Sequence, residues 1–295
     1  MLPRRREEVD VLAWWQAIVL GLVEGITEYL PVSSTGHLIL TSQLLGLERP
    51  DTKEALDAFL VVVQGGAILA VLGLYRERVA QMIRGVLGRD ARGLRLVIAL
   101  VVAFLPAAVA GLLLNKTIKA LLFSTGPVVL ALGVGGVFML WLGRQGADRG
   151  PGRQDVADVS PATALAIGCW QVLALWPGTS RSMVTIGGGI LLWLDVVAAA
   201  EFSFLLGLPT LGAACAHDLV SLLKTPVAGG PSAIAQLGAG PMLLGVAVAT
   251  VSAAAAVRWL VGFLVRHGLA PFGWYRIALA AVLGALVAGG VVHVG

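Results

Sequence analysis

Charged residues are scarce in this chain: of its 295 residues 13% are charged, whereas 58% are hydrophobic. Soluble domains carry about 25% charged residues, so this composition excludes a soluble globular protein. The net charge of +4 does not indicate nucleic-acid binding, because the basic residues lie in loops between apolar stretches. The composition predicts an integral membrane protein.

Cysteines are also few, and alternating strand patterns are absent. Cys169 and Cys215 both lie in apolar helical sequence, so we expect small core residues rather than a disulfide pair. The lack of a period-2 alternation excludes a membrane barrel. The arginine-rich N-terminus resembles a signal peptide but has no small-residue cleavage site, so we expect it to be retained.

Six uninterrupted apolar stretches are long enough to cross a bilayer as helices, which takes about 20 residues. They are 56–75, 94–114, 128–142, 202–220, 242–264 and 277–292. Two further apolar segments, 11–47 and 162–194, each contain a polar turn. The arginine-rich loops 76–95 and 143–160, and the last loop with Arg266 and Arg276, are predicted to be cytoplasmic. The loop 224–240 is predicted to be external.

These anchors predict an all-α integral membrane protein, a polytopic helical bundle in a single membrane domain, 1–295. It contains two inverted repeats, 11–143 and 160–294, each an interrupted re-entrant helical hairpin plus three transmembrane helices. Broken helices of such repeats meet near the bilayer midplane with the binding site between them. The arginines at 4–6 would favour a cytoplasmic N-terminus, so its orientation is left open.

The first polar turn lies in EGITEYLPVSSTGH, from Glu24 to His37. A charge at the bilayer centre costs roughly 2.5–3.5 kcal/mol, and Glu24 and Glu28, four residues apart, share a helix face. Pro31 ends the first half-helix at Leu30. A second helix can then be capped by three hydroxyl residues, Ser33, Ser34 and Thr35. The N-terminus of that helix would bind phosphate.

The two glutamates suggest a metal site. Mg²⁺ and Ca²⁺ bind through carboxylates together with substrate phosphate oxygens, so we predict Mg²⁺ or Ca²⁺ at Glu24 and Glu28. The alternative is that both acids line a water-filled vestibule or pair with a loop arginine.

The second polar turn, WPGTSRS, follows the same logic. Pro177 and Gly178 break the helix, and Arg181 offers a planar fork for a phosphate group. Substrate contacts are predicted for the turn residues Gly178, Thr179, Ser180 and Ser182, as they are for Ser33 and Thr35. Alternatively, Arg181 serves only as a structural ion-pair partner of Glu24 or Glu28.

His37 lies three residues after Ser34, on the same side of the predicted helix. A hydroxyl beside an imidazole is typical of an activated nucleophile, although a lone histidine is often only a capping or interface residue. The nucleophile is therefore left open among Ser34, His37 and a water molecule.

Both segments closely resemble the signature motifs of the bacterial undecaprenyl-diphosphate phosphatase family linked to bacitracin resistance. Further similar stretches are AFLVVVQGGAILAV, AAAEFSFLLGLP and PFGWYR, so the resemblance covers nearly the whole chain. Two positions depart from the family pattern: Leu60 replaces a frequent acid and Met183 a usual glycine. They leave secondary contacts near Gln64 and Arg181 in doubt.

The resemblance implies a plasma-membrane hydrolase that recycles the C55 lipid carrier for peptidoglycan synthesis. It would remove the terminal phosphate of undecaprenyl diphosphate on the outer side, with a divalent cation. By motif, the catalytic residues would be Glu24, Glu28, Ser34, His37 and Arg181.

The runner-up hypothesis is a transporter or flippase of a lipid-linked phosphate, since inverted repeats with broken helices are typical of transporters. Membrane lipid is an expected partner and nucleic acid is not. The oligomeric state is left open, with a homodimer as one alternative.

Overall fold

The computed structural model describes residues 12–47, 53–122, 124–144, 154–224 and 237–290. Within these ranges the chain forms α-helices, two short 3₁₀ turns and no strand. The helices are α1 Trp14–Tyr29, α2 Ser34–Leu44, α3 Lys53–Leu74, α4 Arg76–Val86, α5 Ala91–Leu122, α6 Thr125–Arg144, α7 Pro161–Val172, α8 Arg181–Leu191, α9 Val196–Lys224, α10 Ala239–His267 and α11 Ala270–Ala288.

Six of these helices are long and apolar enough to cross a membrane, and they confirm the six predicted spans. They are α3, α5, α6, α9, α10 and α11. Many of their large apolar side chains point outward; Leu112 in α5, for example, is 77% exposed. An outward apolar surface of this kind suits hydrocarbon rather than water.

Both interrupted segments are broken where the sequence predicts. The helix α1 ends at Tyr29, and Leu30 turns into extended backbone with φ −70° and ψ 143°. The helix α7 continues into a 3₁₀ turn that ends at Leu175, and α8 begins at Arg181. Each second half-helix starts after a serine with positive φ, 74° at Ser33 and 73° at Ser180.

The helices pack in a reciprocal pattern. The first half-helix of each hairpin lies against the middle span of the other group: α1 packs on α10, and α7 packs on α5. Corresponding spans also pair, α3 with α9 and α6 with α11. Glycines permit the close approach, since a Cβ at Gly21 would lie 2.7 Å from the Gly245 carbonyl oxygen. An inverted repeat would produce this reciprocity, but the repeat and its bounds stay predictions.

Three expectations about local structure are wrong. Residues 76–86 form the amphipathic helix α4 rather than a loop, because apolar residues at helical spacing separate the arginines. Arg276 lies inside α11 and is fully buried, so it does not mark a cytoplasmic loop. The cysteines are free, as expected, but Cys169 is exposed and Cys215 half-buried, so neither is a core residue.

An ion-pair cluster joins α4 to the start of α9 and lies apart from the two polar turns. Arg78 contacts Glu201 at 2.7 Å and Asp155 at 3.0 Å. Partial burial raises the pKa of Asp155, but the Ala157 N–H and the cations Arg78 and Arg92 lower it more, so the net pKa is below its usual value. Glu201 therefore belongs to this cluster.

Several expectations fall outside the described residues. They are the retained N-terminal stretch with the arginines at 4–6, half of the loop 143–160, most of the loop 224–240, and residues 291–292 of the last predicted span.

Candidate active site

Glu28 lies at the centre of the contacts between the two polar turns. Its side chain is buried in the last turn of α1. One carboxylate oxygen, Oε2, accepts a 2.7 Å hydrogen bond from the Ser34 hydroxyl. The other, Oε1, accepts a 3.2 Å bond from Nη2 of Arg181. The glutamate thus joins α2 of one hairpin to α8 of the other.

Arg181 is the first residue of α8 and is held on three sides. Besides its ion pair with Glu28, its Nη1 donates to the Ser203 carbonyl at 2.9 Å. The guanidinium also lies over the Tyr29 ring, 5.4 Å from its centroid, in a cation–π arrangement. Its Nε is buried without a hydrogen-bond partner in the described structure. That N–H is a donor left over for an anion.

Glu24 lies one helical turn before Glu28 and is buried at 1% exposure. Its Oε1 has no hydrogen-bond partner among the described residues. A buried carboxylate oxygen without a partner is costly unless a proton or a cation satisfies it. No cluster of three or more histidine, cysteine or acidic side chains occurs in the described ranges. The donor set thus fits a cation that takes further ligands from a phosphate substrate, and Glu24, not the occupied Glu28, has the free oxygen.

The hydroxyls of both turns cap helices, as predicted for a phosphate-binding helix start. Ser33 accepts from the Gly36 N–H and Ser180 from the Met183 N–H, both at 3.4 Å. Other first-turn N–H groups of α2 and α8 have no acceptor within their helices. Two helix N-termini, each with a partial positive charge, therefore flank the Glu28–Arg181 pair.

The other predicted substrate contacts are placed differently. The Ser182 hydroxyl donates to the Leu30 carbonyl at 2.9 Å, so it joins the two turns directly and is fully buried. Thr179 is also buried, whereas Thr35 is exposed. Gly178 has φ +91°, and its carbonyl accepts a 2.9 Å hydrogen bond from Nη2 of Arg276.

His37 does not pair with Ser34 in the described structure. Its Nδ1 contacts the Ser33 carbonyl oxygen at 2.7 Å, and a carbonyl only accepts, so Nδ1 carries a proton. Its Nε2 contacts the Tyr275 hydroxyl at 2.6 Å, and the two rings stack at a centroid distance of 5.7 Å. The imidazole therefore lies between α2 and α11, and its predicted partnership with the serine is replaced by two other contacts.

Sequence reasoning missed several residues that shape the site: Tyr29, Ser203, Gly207, Tyr275 and Arg276. Tyr29 lies within the first motif and bonds the Ala67 carbonyl at 3.0 Å. Gly207 leaves room for Arg181, since a Cβ there would lie 3.2 Å from the guanidinium. Tyr275 and Arg276 lie in the motif PFGWYR, which marked their positions in the sequence but indicated no role for either in the site.

The arrangement combines a hydroxyl in contact with a carboxylate, a guanidinium with a free donor and two helix N-termini. This set can bind a phosphate group and direct an oxygen nucleophile at it. The residues Glu28, Ser34 and Arg181 are brought into contact; Glu24 is a helical turn away, and His37 faces another helix. Their roles in a reaction stay predictions.

Comparisons with known proteins agree with this chemistry. The model of a family described as bacitracin resistance protein BacA matches residues 17–282. The undecaprenyl-diphosphatase of Sorangium cellulosum (strain So ce56) is 50% identical over 277 residues, covering 92% of this chain and 85% of that protein. An undecaprenyl-diphosphatase of Cereibacter sphaeroides (strain ATCC 17029 / ATH 2.4.9) is 45% identical, covering 92% and 97%. That of Deinococcus radiodurans is 43% identical, covering 96% and 98%.

Proposed function

Because the chain belongs to the bacitracin resistance protein BacA family, we infer that it is an undecaprenyl-diphosphatase. It is a membrane hydrolase that removes the terminal phosphate of undecaprenyl diphosphate and releases undecaprenyl phosphate and phosphate. The observation that supports this activity most directly is the contact of Glu28 with both Ser34 and Arg181. It brings the two polar turns into one buried site.

Phosphate binding is assigned to Arg181 and the two helix N-termini. The unpartnered Nε of Arg181 and its neighbouring Nη2 form one edge of the fork, which matches two phosphate oxygens. The N-termini of α2 and α8 add N–H donors on either side. We propose that the two turns contact the substrate only through backbone groups and hydroxyls. The residues assigned to this contact are Ser33, Thr35, Gly178, Thr179, Ser180 and Ser182.

Ser34 is the proposed nucleophile, and Glu28 rather than His37 is its proposed base. The 2.7 Å bond from the Ser34 hydroxyl to Glu28 gives its proton a direct acceptor. As Oγ attacks the terminal phosphorus, the proton passes to Glu28. The bond from phosphorus to the bridging oxygen breaks, and undecaprenyl phosphate leaves. Water then hydrolyses the phosphoserine. The alternative to the serine route is direct attack on the substrate by His37 or by a water molecule.

A divalent cation fits beside Glu24, whose free Oε1 would hold Mg²⁺ or Ca²⁺ with a smaller contribution from Glu28. When bound there, the cation would neutralise negative charge on the diphosphate oxygens. Without it, the free carboxylate oxygen of Glu24 would repel the same phosphate. The two glutamates therefore have different proposed roles. Glu24 would hold the cation, and Glu28 contacts Ser34 and Arg181.

We place the protein in the bacterial plasma membrane as a multi-pass protein with its site open to the outer side. The arginine-rich segment 76–95 supports this orientation through the positive-inside rule. Transport is not favoured as the function, since a carrier needs no hydroxyl in contact with a carboxylate, and the relatives are named diphosphatases.

Phosphate release by the purified protein tests the activity. Wild type in detergent with C55 diphosphate and Mg²⁺ or Ca²⁺ should release phosphate, whereas Arg181→Ala and Glu28→Ala should not. Gly212→Ala is a matched control, because a Cβ at this position of α9 meets no atom within 4 Å. No release by wild type would favour transport, and full release by either site variant would refute the role of that residue.

A further inference from the structure

Arg276 is a fully buried cation without an acidic partner among the described residues. It is 0% exposed, and its three nitrogens donate to four backbone carbonyls at 2.9–3.4 Å, those of Leu132, Pro31, Ala131 and Gly178. Burying a charge is costly in proteins. Because this guanidinium is buried at a cost and is bound only to carbonyls, its burial indicates a function at those carbonyls.

Two of these carbonyls occupy matching places in the two polar turns. Pro31 lies two residues before Ser33, and Gly178 lies two residues before Ser180. Both serines have positive φ, 74° and 73°, a conformation that non-glycine residues adopt only when their surroundings impose it. One guanidinium thus holds the backbone immediately before each strained serine.

The site has space set aside for this guanidinium. Gly135 of α6 faces it: a Cβ there would overlap Nη2 of Arg276 and would lie 2.9 Å both from Cζ of Arg276 and from Sδ of Met183. Gly133, two residues earlier on the same helix, has no such constraint, since its Cβ would meet only the Ala280 Cβ at 3.9 Å. The glycine at 135 therefore leaves room for the guanidinium of Arg276, which an added Cβ would approach more closely than it would the flexible side chain of Met183.

The preceding residue on α11, Tyr275, reaches the first turn by a different path. Its hydroxyl contacts Nε2 of His37 at 2.6 Å, and because His37 Nδ1–H already donates to the Ser33 carbonyl, a neutral imidazole accepts from the tyrosine. The side chain of Tyr275 is otherwise 46% exposed, so core packing does not explain it. The path runs from Tyr275 through His37 to Ser33.

We propose that Tyr275 and Arg276, consecutive on α11, are positioning residues for the phosphatase reaction. Arg276 holds the two phosphate-binding turns at one distance from each other, and Tyr275 sets the orientation of His37 and, through it, of Ser33 next to the nucleophile. Neither side chain touches the substrate. This inference rests on the proposed function of the two turns.

The Arg276 part is tested with Arg276→Lys and with Gly135→Ala, using Gly133→Ala as the matched control. A lysine keeps the charge but cannot reproduce the planar fork, and a misplacement of about 1 Å can cost roughly 100-fold in rate. We expect kcat per folded molecule to fall by about 10- to 100-fold in both variants. The control should stay within about twofold of wild type, since its Cβ makes only an ordinary contact.

Two results would overturn this part. One is a kcat within about twofold of wild type, which corresponds to about 0.4 kcal/mol, in both Arg276→Lys and Gly135→Ala. The other is loss of the folded, monodisperse protein in both, which would make Arg276 a folding residue only. If Arg276→Lys alone fails to fold, Gly135→Ala decides.

The Tyr275 part is tested by a double-mutant cycle between Tyr275→Phe and His37→Gln. Phenylalanine keeps the stacked ring and removes the hydroxyl, so we expect kcat/KM to fall about 3- to 10-fold, as for one lost hydrogen bond. In the His37→Gln background the same change should have no further effect. Trp274→Phe, at a neighbouring position that is 62% exposed, serves as the control.

The outcomes separate this inference from the proposed function. A fully active Tyr275→Phe beside an impaired His37→Gln overturns the positioning role and leaves the function standing. Equal effects of Tyr275→Phe in both backgrounds also overturn it, because the tyrosine would not act through the histidine. A fully active His37→Gln likewise overturns the positioning role of Tyr275, because the path from Tyr275 to Ser33 runs through His37, and it leaves the proposed function standing.

Discussion

Gly207 of α9 offers a way to disturb Arg181 without changing any charged residue. A Cβ at this position would lie 3.2 Å from Cζ, Nη1 and Nη2 of Arg181. Carbon atoms pack comfortably at about 3.5–4.0 Å, so in Gly207→Ala the guanidinium must retreat by roughly 0.3–0.8 Å. Its bond to Glu28 is already 3.2 Å long, and the retreat would break it or the bond to Ser203.

The magnitude follows from the loss of one hydrogen bond to a charged group, about 1.5–3 kcal/mol. If the same displacement persists in the transition state, kcat/KM falls by about 10- to 150-fold. The free energy of unfolding should fall by no more than about 2.5 kcal/mol, because the preference of a helix for alanine over glycine, about 0.5–1 kcal/mol, offsets part of the lost bond. The prediction is therefore an intact protein with a damaged site.

The assay is phosphate release from undecaprenyl diphosphate over a range of substrate concentrations, with Gly212→Ala as the control on the same helix. That control places its Cβ in open space, so it should match wild type in kcat/KM and have a melting midpoint no lower than that of wild type. A Gly207→Ala protein with the kcat/KM of Gly212→Ala would refute the reasoning that the position of Arg181 limits the reaction.

Three further changes probe other parts of the structure. Glu24→Gln removes the free carboxylate oxygen, so the Mg²⁺ or Ca²⁺ concentration for half-maximal activity should rise about tenfold or more, as for a lost metal ligand. Ser34→Ala should abolish both turnover and the acid-stable phosphoserine that rapid quench and mass spectrometry should detect in wild type. Arg78→Ala should lower the melting midpoint but not kcat per folded molecule, because the ion pairs of Arg78 with Asp155 and Glu201 include no residue of the two polar turns. Since the pKa of Asp155 is lowered in the folded state, its contribution is complete above its unfolded pKa and is lost as the pH falls through the folded pKa. The melting difference between wild type and Arg78→Ala should thus shrink in acid.

Controls for these changes come from exposed side chains outside the site. Glu54→Gln in the first turn of α3 should leave the cation requirement unchanged, and an equal rise there would contradict the assignment to Glu24. Arg266→Ala at the end of α10 should not lower the melting midpoint. A phosphorylated residue other than Ser34 would contradict the serine route, and a pH-independent effect of Arg78→Ala would contradict the role of Asp155.

Much of the fold is readable from the sequence because a bilayer demands long apolar helices and penalises every exception. The six spans and both interrupted segments follow from this rule, and Pro31 and Gly178 mark the breaks. The same rule failed to predict the position of Arg276, which the sequence assigned to a cytoplasmic loop. A charge six residues inside a helix and a charge in a loop look alike along the chain, and only the packing of α6 on α11 shows the difference.

The candidate site was predictable in composition but not in its partnerships. The spacing of Glu24 and Glu28 gave a shared face, yet it could not tell which carboxylate meets Arg181, since the answer depends on how two distant turns approach each other. The spacing of Ser34 and His37 likewise gave a common side of α2 but no contact. Tyr275, 238 residues away from His37, provides the partner instead.

The central claim is that the two polar turns act as one site on the terminal phosphate, and a double-mutant cycle between Glu28 and Arg181 tests it most directly. Phosphate release is measured for Glu28→Ala, Arg181→Ala and the double variant, with enough enzyme to quantify residual rates. The effects of residues that act as a unit are strongly non-additive. The rate of the double variant should therefore lie within about threefold of the rate of the slower single variant. Losses that multiply would contradict the account, since the two halves would then act independently.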